Sequence, residues 1–214
     1  MKFQSKENKL FIILGCFLIA NAILAEFIGV KIFSVEESIG LTKFDINLFG
    51  VKGLSFNMSA GVVTWPLVFI MTDIINEYYG TKGVRFLSYL ASILIAFAFV
   101  VVFLSIKLVG ADFWVNQTIN GEATNMNNAY QGIFGQGLWI IIGSITAFLV
   151  GQIADVTIFH RIKKLTGDEK LWLRATGSTL VSQFIDSFVV LLIAFYIGAG
   201  WDLKLVIGIG IVNY

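Results

Sequence analysis

Thr72-Asp-Ile-Ile-Asn-Glu-Tyr-Tyr-Gly80 closes a hydrophobic segment that begins near Phe56 and contains the single proline of the chain, Pro66. In a helix, Asp73, Asn76 and Glu77 fall at i, i+3 and i+4 and therefore project from one face. Two carboxylates and an amide on one stripe of a membrane-length helix are costly to leave in lipid. Such residues face a bundle interior, a cavity or the membrane surface, which makes this stripe a candidate functional site.

The rest of the chain sets the context for that stripe. Of 214 residues, 57% are hydrophobic and 14% charged, with 20 Phe and long apolar runs; mean hydropathy is +0.84. A soluble domain of this length does not carry so little charge in such runs, so the chain reads as a polytopic membrane protein, all-α, forming one domain over 1–214. A net charge of +1 gives no case for a nucleic-acid partner. Cys16 stands alone, so no intrachain disulfide forms.

Windows of membrane length pick out six candidate helices: Leu10–Ile32, Phe56–Asn76, Phe86–Leu108, Leu138–Phe159, Ala175–Ile197 and one starting near Leu203. Lys2, Lys6 and Lys9 ahead of the first, together with Ala20-Asn-Ala22, imitate a signal peptide. The apolar pattern continues to Phe33, however, so retention as a first membrane helix is expected. From Leu203 to Tyr214 the last segment is too short to cross a bilayer at helical rise. It is expected to be truncated at Tyr214, with the natural chain continuing.

Loop charge orients the bundle. Ten of the 15 basic residues fall in the N-terminal tail, the second loop (Lys82, Arg85) and the fourth loop (Arg161, Lys163, Lys164, Lys170, Arg174). The positive-inside rule then places the N-terminus and these loops in the cytoplasm. The segments Ser34–Ser55 and Gly110–Gly137 become long external loops. They read either as a lid over a binding site or as solvated connectors.

Polar residues inside the helices supply the candidate site. Helix 4 carries Gln152 and Asp155, and helix 5 carries Gln183 and Asp186; each pair is spaced i, i+3 and shares a face. Ser178, Thr179 and Ser182 extend the helix 5 stripe. A carboxylate beside a carboxamide suits a planar heterocycle with donors and acceptors along one edge. Blander readings stand beside this one. Asp73, Asn76 and Glu77 approach a helix end and could pair with Lys82 and Arg85, and Asp155 could pair with Arg161. Glu26 on helix 1 reads as snorkelling toward the outer face. His160 reads as an interfacial residue, and Trp65, Trp139, Trp172 and Trp201 as interface anchors. Helix 3 and the start of helix 6 look like scaffold.

Thr64-Trp-Pro-Leu-Val-Phe-Ile-Met-Thr-Asp-Ile-Ile-Asn-Glu-Tyr-Tyr-Gly80 resembles the signature of the queuosine precursor transporters, a branch of the vitamin uptake transporter group. The blocks Gly143–Phe159 and Leu171–Ser187 resemble it equally, in the order and spacing of that family. The resemblance implies a six-helix carrier of the bacterial inner membrane, without enzymatic activity, cofactor or metal. It would import 7-cyano-7-deazaguanine or a related 7-deazaguanine for tRNA queuosine synthesis.

On that reading Asp186 or Asp155 takes the amino-pyrimidinone edge, and Gln183 and Gln152 meet the carbonyl and ring nitrogens. Asp73, Asn76 and Glu77, with Ser182, complete the polar cluster or form an inner gate, and Arg174 and Trp172 position the fourth loop. The alternative is a vitamin-binding subunit of an energy-coupling-factor importer, which would need an ATPase module; Ala22-x-x-Ala25 is a faint version of its small-residue docking stripe. Homo-oligomerisation, the coupling ion and the choice among 7-deazaguanines stay open. An enzyme is disfavoured, since no Gly-x-Ser-x-Gly elbow, His-Glu-x-x-His site or phosphate loop occurs.

Overall fold

A computed structural model describes residues 6–167 and 169–214. Lys2, counted in the charge asymmetry, lies outside them. In chain order the elements are α1 (Lys6–Ile28), β1 (Ile32–Ser34), α2 (Val35–Ser38), β2 (Ile46–Leu48), β3 (Val51–Leu54), β4 (Asn57–Ser59) and a 3-10 turn (Ala60–Val63). Then come α3 (Trp65–Ile106), α4 (Asp112–Val115), β5 (Asn116–Ile119), β6 (Glu122–Asn125), α5 (Met126–Phe134) and α6 (Leu138–Thr166). The chain ends in α7 (Leu171–Leu191), which runs into a π-helical stretch (Leu192–Gly198), and α8 (Leu203–Asn213). Four helical segments are long and apolar enough to cross a membrane: Lys6–Ile28, Trp65–Ile106, Met126–Thr166 and Leu171–Gly198. The protein is a mostly helical, multi-pass membrane protein.

One of the four segments is not straight. Within α3, Gly80 has φ 71° and ψ −179°, a conformation open to glycine and strained for other residues. The hydroxyls of Thr72 before it and Ser88 after it both lie within hydrogen-bond reach of the same atom, Gln152 Oε1, at 3.2 and 3.5 Å. In an unbroken helix those residues would stand roughly 24 Å apart. The chain therefore folds back at Gly80, and α3 is a hairpin of two limbs, residues 65–79 and 81–106.

The helix boundaries depart from the sequence expectation where local chemistry overrides hydropathy. The second segment does not begin at Phe56: Asn57–Ser59 pairs with β1, and the helix starts at Trp65 with Pro66 in its first turn. Proline lacks a backbone N–H and has a pre-set φ, so it suits that position and no later one. At the other end α6 continues to Thr166, where Gly167 with φ 66° ends it. The expected fourth loop shrinks, with α6 ending at Thr166 and α7 beginning at Leu171, and Arg161, Lys163, Lys164 and Arg174 lie on helices. The two long loops also contain structure. β2–β3 and β5–β6 are antiparallel hairpins, and β1 pairs with β4.

α1 packs against α3 and α6 against α7. Leu14, Leu18 and Ala22 of α1 meet Val68, Ile75, Val84 and Leu87 of α3 in the main apolar core. Ala25, one turn beyond Ala22, is buried as well, so the small-residue stripe of the alternative reading is not free to dock an outside partner. On α6, Gly143, Ala147 and Gly151 recur every four residues and are all buried. A Cβ at Gly143 would sit 3.3 Å from Val190 O, and one at Gly151 3.3 Å from Asp186 Cβ. Small side chains let α6 and α7 approach closely, the usual means of packing helices where lipid supplies no hydrophobic drive.

Candidate functional site

The ends of these helices enclose a cavity of about 660 Å³, within the range of small-molecule sites. It lies between the C-terminal end of α1, the N-terminal ends of α3 and α6, the C-terminal part of α7 with its π-helical extension, and α8. Hairpin β2–β3 and strand β4 border it. Two carboxylates line it, Glu26 from α1 and Asp186 from α7, together with Ser144 and Gln136 and the aromatic rings of Trp65, Phe195 and Trp201. Glu26 is buried, and Ser144 Oγ lies 2.6 Å from Oε1 and 2.5 Å from Oε2. α8 closes one wall: Asn213 lines the cavity and its Oδ1 accepts from Asn57 N–H at 3.2 Å.

Below the cavity the passage narrows to a cleft lined by Trp65, Phe69, Phe148, Gly151, Gln152, Gln183 and Asp186. Trp65 packs on Phe69 and Phe148 with centroids 5.8 and 5.9 Å away, so an aromatic cluster forms the constriction. Trp65 is thus no interface anchor. Trp139 and Trp172 are 46% and 68% exposed, as residues facing lipid or headgroups would be, while Trp201 faces the cavity.

Beyond the constriction is a buried polar cluster built from α3, α6 and α7. Gln152 holds both limbs of α3 through Thr72 and Ser88. Asp155, fully buried, accepts from Ser182 Oγ of α7 at 3.2 Å. Asn76 Oδ1 and His160 Nε2 are 3.0 Å apart. Glu77 Oε1 meets Lys163 Nζ and Arg174 Nη2, each at 3.0 Å. Arg174 is buried over the Phe159 ring and donates to Gly167 O at 3.1 Å, which fixes the turn between α6 and α7. Asp73 Oδ1, Asn76 Nδ2, Glu77 Oε2 and Asp155 Oδ2 are buried with no hydrogen-bond partner among the described residues. An under-satisfied polar cluster gains by rearranging, unlike a packed apolar core.

The residues singled out from the sequence thus divide into two groups. Asp186 lines both the cavity and the cleft, whereas Gln183 and Gln152 line the cleft alone. Asp155, Ser182, Asp73, Asn76, Glu77 and Arg174 belong to the buried cluster, and Trp172 belongs to neither. Glu77 pairs with Lys163 and Arg174 and not with Lys82 or Arg85, and Asp155 pairs with Ser182 and not with Arg161, because α6 extends past its expected end. Glu26 does not snorkel, and His160 is engaged inside the bundle. Ser88 shows that the second limb of α3 is more than scaffold. The one advance signal for Glu26 was a carboxylate in an apolar helix; its partner Ser144 lies 118 residues away.

A multi-pass helical bundle with a mainly apolar cavity holding two carboxylates at one end and a closed polar cluster at the other has the architecture of a membrane carrier. The chain belongs to the family described as "Putative vitamin uptake transporter", whose model matches residues 59–214. That family is one of transporters, not enzymes. A "Probable queuosine precursor transporter" of Bacillus subtilis (strain 168) is 33% identical over 163 residues, 73% of this chain and 66% of the relative. One of the same name from Haemophilus influenzae is 26% identical over 152 residues, 70% of this chain and 57% of the relative. The "Queuosine precursor transporter" of Escherichia coli (strain K12) is 27% identical over 146 residues, 68% of this chain and 59% of the relative. The chain thus spans less than two thirds of the length of each of these relatives. No solved structure matches.

Proposed function

We propose that this protein imports 7-cyano-7-deazaguanine or a related 7-deazaguanine across the bacterial inner membrane to supply tRNA queuosine synthesis. It does so as a six-span carrier with its N-terminus in the cytoplasm. The two limbs of α3 count as two spans, and α8 belongs to the sixth. The observation that carries the reading is the cavity with Asp186 and Trp65 on its wall, both shared with the adjoining cleft that Gln183 and Gln152 line. A carboxylate accepts N1–H and the 2-amino group in a fork, a carboxamide donates to the 6-oxo group, and Trp65 offers a stacking face. The names of the relatives support the same substrate class.

The cavity opens at the helix ends away from Lys163 and Arg174, on the side that loop charge makes external. On this reading the molecule faces outward, ready to load. The inner gate is the Glu77–Lys163–Arg174 contact with Asp73, Asn76 and Asp155, which must part for release. The test is queuosine content of tRNA in a precursor-starved bacterial strain lacking its own transporter, with and without this gene, fed each 7-deazaguanine in turn. Queuosine should rise with at least one precursor, and Asp186→Asn should abolish the rise at normal expression. A gene that restores queuosine with no precursor refutes the proposal. Uptake by purified protein in vesicles without ATP separates it from the ATPase-driven alternative.

A further inference from the structure

The cavity holds more negative charge than a neutral heterocycle needs. One carboxylate, Asp186, suffices for the amino-pyrimidinone edge, yet Glu26 faces the same space. Both carboxylates line one cavity. Ser144 lies against both oxygens of Glu26, but a hydroxyl has one proton to give, so one carboxylate oxygen keeps its capacity to accept. Nothing among the described residues donates a hydrogen bond to Asp186. The one basic side chain on the lining, Lys52, is exposed on β3 at the rim. A buried carboxylate, Glu26, and a half-buried one, Asp186, with only the exposed Lys52 as a cation on the lining call for a ligand that brings positive charge of its own.

Their placement gives that charge a position. Glu26 sits beside Ser144, and Asp186 packs where a side chain on Gly151 would begin, 3.3 Å from its Cβ. Ser144 and Gly151 are two turns apart on α6, roughly 10 Å along its axis. Asp186 also lines the cleft beside Gln183, whereas Glu26 lines the cavity alone. A flat bicycle with a donor edge at one end and an ammonium at the other bridges such a gap, each end one hydrogen bond from its carboxylate.

We propose that Glu26 is a specificity-determining residue that selects 7-deazaguanines bearing a cationic 7-substituent, such as the 7-aminomethyl form, over the neutral 7-cyano form. This rests on the transporter reading above and sharpens its substrate. The heterocycle edge points inward to Asp186 and Gln183, its ring lies against Trp65, and the ammonium meets Glu26 and Ser144. A nitrile has no proton to donate and, placed there, would face an acceptor.

The test is uptake of radiolabelled 7-aminomethyl-7-deazaguanine into vesicles holding the full chain, competed by unlabelled 7-cyano or 7-aminomethyl compound. The aminomethyl form should compete better by about tenfold or more, the scale of one charge-assisted hydrogen bond. Glu26→Gln should collapse that ratio toward unity, and Glu26→Asp should keep the preference. If Glu26→Gln does not fold, the wild-type ratio still decides. A wild-type protein that takes up both compounds without preference, or prefers the cyano form, overturns the role of Glu26 and leaves the transporter reading standing. Uptake of neither compound overturns both.

Discussion

Gly151 carries the sharpest mechanical prediction, because it sets the α6–α7 distance and also touches Asp186. A Cβ at this position would lie 3.3 Å from Asp186 Cβ, 3.4 Å from its Oδ1 and 3.6 Å from Ser182 O. Gly151→Ala therefore asks Asp186 to yield by a few tenths of an ångström. The helix gains about 1 kcal/mol from replacing glycine inside α6, so net stability should change by less than about 1 kcal/mol. Gly151→Leu is different in kind. Its outer carbons would enter the space of the α7 backbone at Ser182, an overpacking cost of about 1–3 kcal/mol.

The larger side chain also drives Asp186 from the cavity wall. Losing its charge-assisted hydrogen bonds should weaken substrate binding by roughly 10- to 150-fold. Thermal unfolding of the detergent-purified protein and equilibrium binding of a 7-deazaguanine measure the two effects separately. Gly143→Leu is the control: it meets Val190 O and Ala194 at the same interface, away from Asp186. Both leucine variants should lower the melting temperature, and Gly151→Leu should lose more affinity. A Gly151→Leu protein that melts and binds like the wild type would refute both the close packing and the placement of Asp186.

Two further outcomes are expected. Thr72→Val and Ser88→Ala each remove one hydroxyl partner of the buried Gln152 amide, at about 1 kcal/mol apiece; the double variant should cost more than the sum, since the amide then has neither partner, and denaturation of the three proteins reads this directly. Glu36, outside the membrane-spanning helices, is buried under the β1–β4 connection. Burial pushes its carboxyl up, but the Phe56 N–H at 2.8 Å and the Ser34 hydroxyl at 3.0 Å outweigh this and hold it below its ordinary value of 4.5. A depressed carboxyl contributes stability above the unfolded value, lost as pH falls through the folded one. Amide exchange at Phe56 should therefore accelerate on acidification below about pH 4.5, and Glu36→Gln should remove most of that dependence; an unchanged pH profile in the variant would contradict the assignment.

Local chemistry and global packing share the specification of this molecule unevenly. Membrane class, the helical segments and the Gln-x-x-Asp faces were legible in the sequence, because hydropathy and the 3.6-residue period act over neighbouring residues. Even the hairpin of α3 was anticipated, as two segments separated near Gly80. The hairpins β2–β3 and β5–β6 were not, since short solvent-exposed strands leave almost no hydropathy signal. Helix ends shifted where a proline or a left-handed glycine set them, as at Pro66 and Gly167.

The site was half legible. A carboxylate or amide in mid-helix announces that it must avoid lipid, so Asp186, Gln183, Gln152, Asp155 and Asp73 could be listed from the chain alone. The sequence could not say which of them share a cavity. That depends on how α1, α6 and α7 pack, which the small stripe Gly143–Ala147–Gly151 and the fold-back at Gly80 decide at long range. Tertiary structure alone joined Glu26 to Ser144 and set both across from Asp186. It likewise placed Asp155 below the constriction and turned Trp65 from an anchor into a wall. Periodicity assigns a residue to a face of its helix, and only packing determines what that face meets.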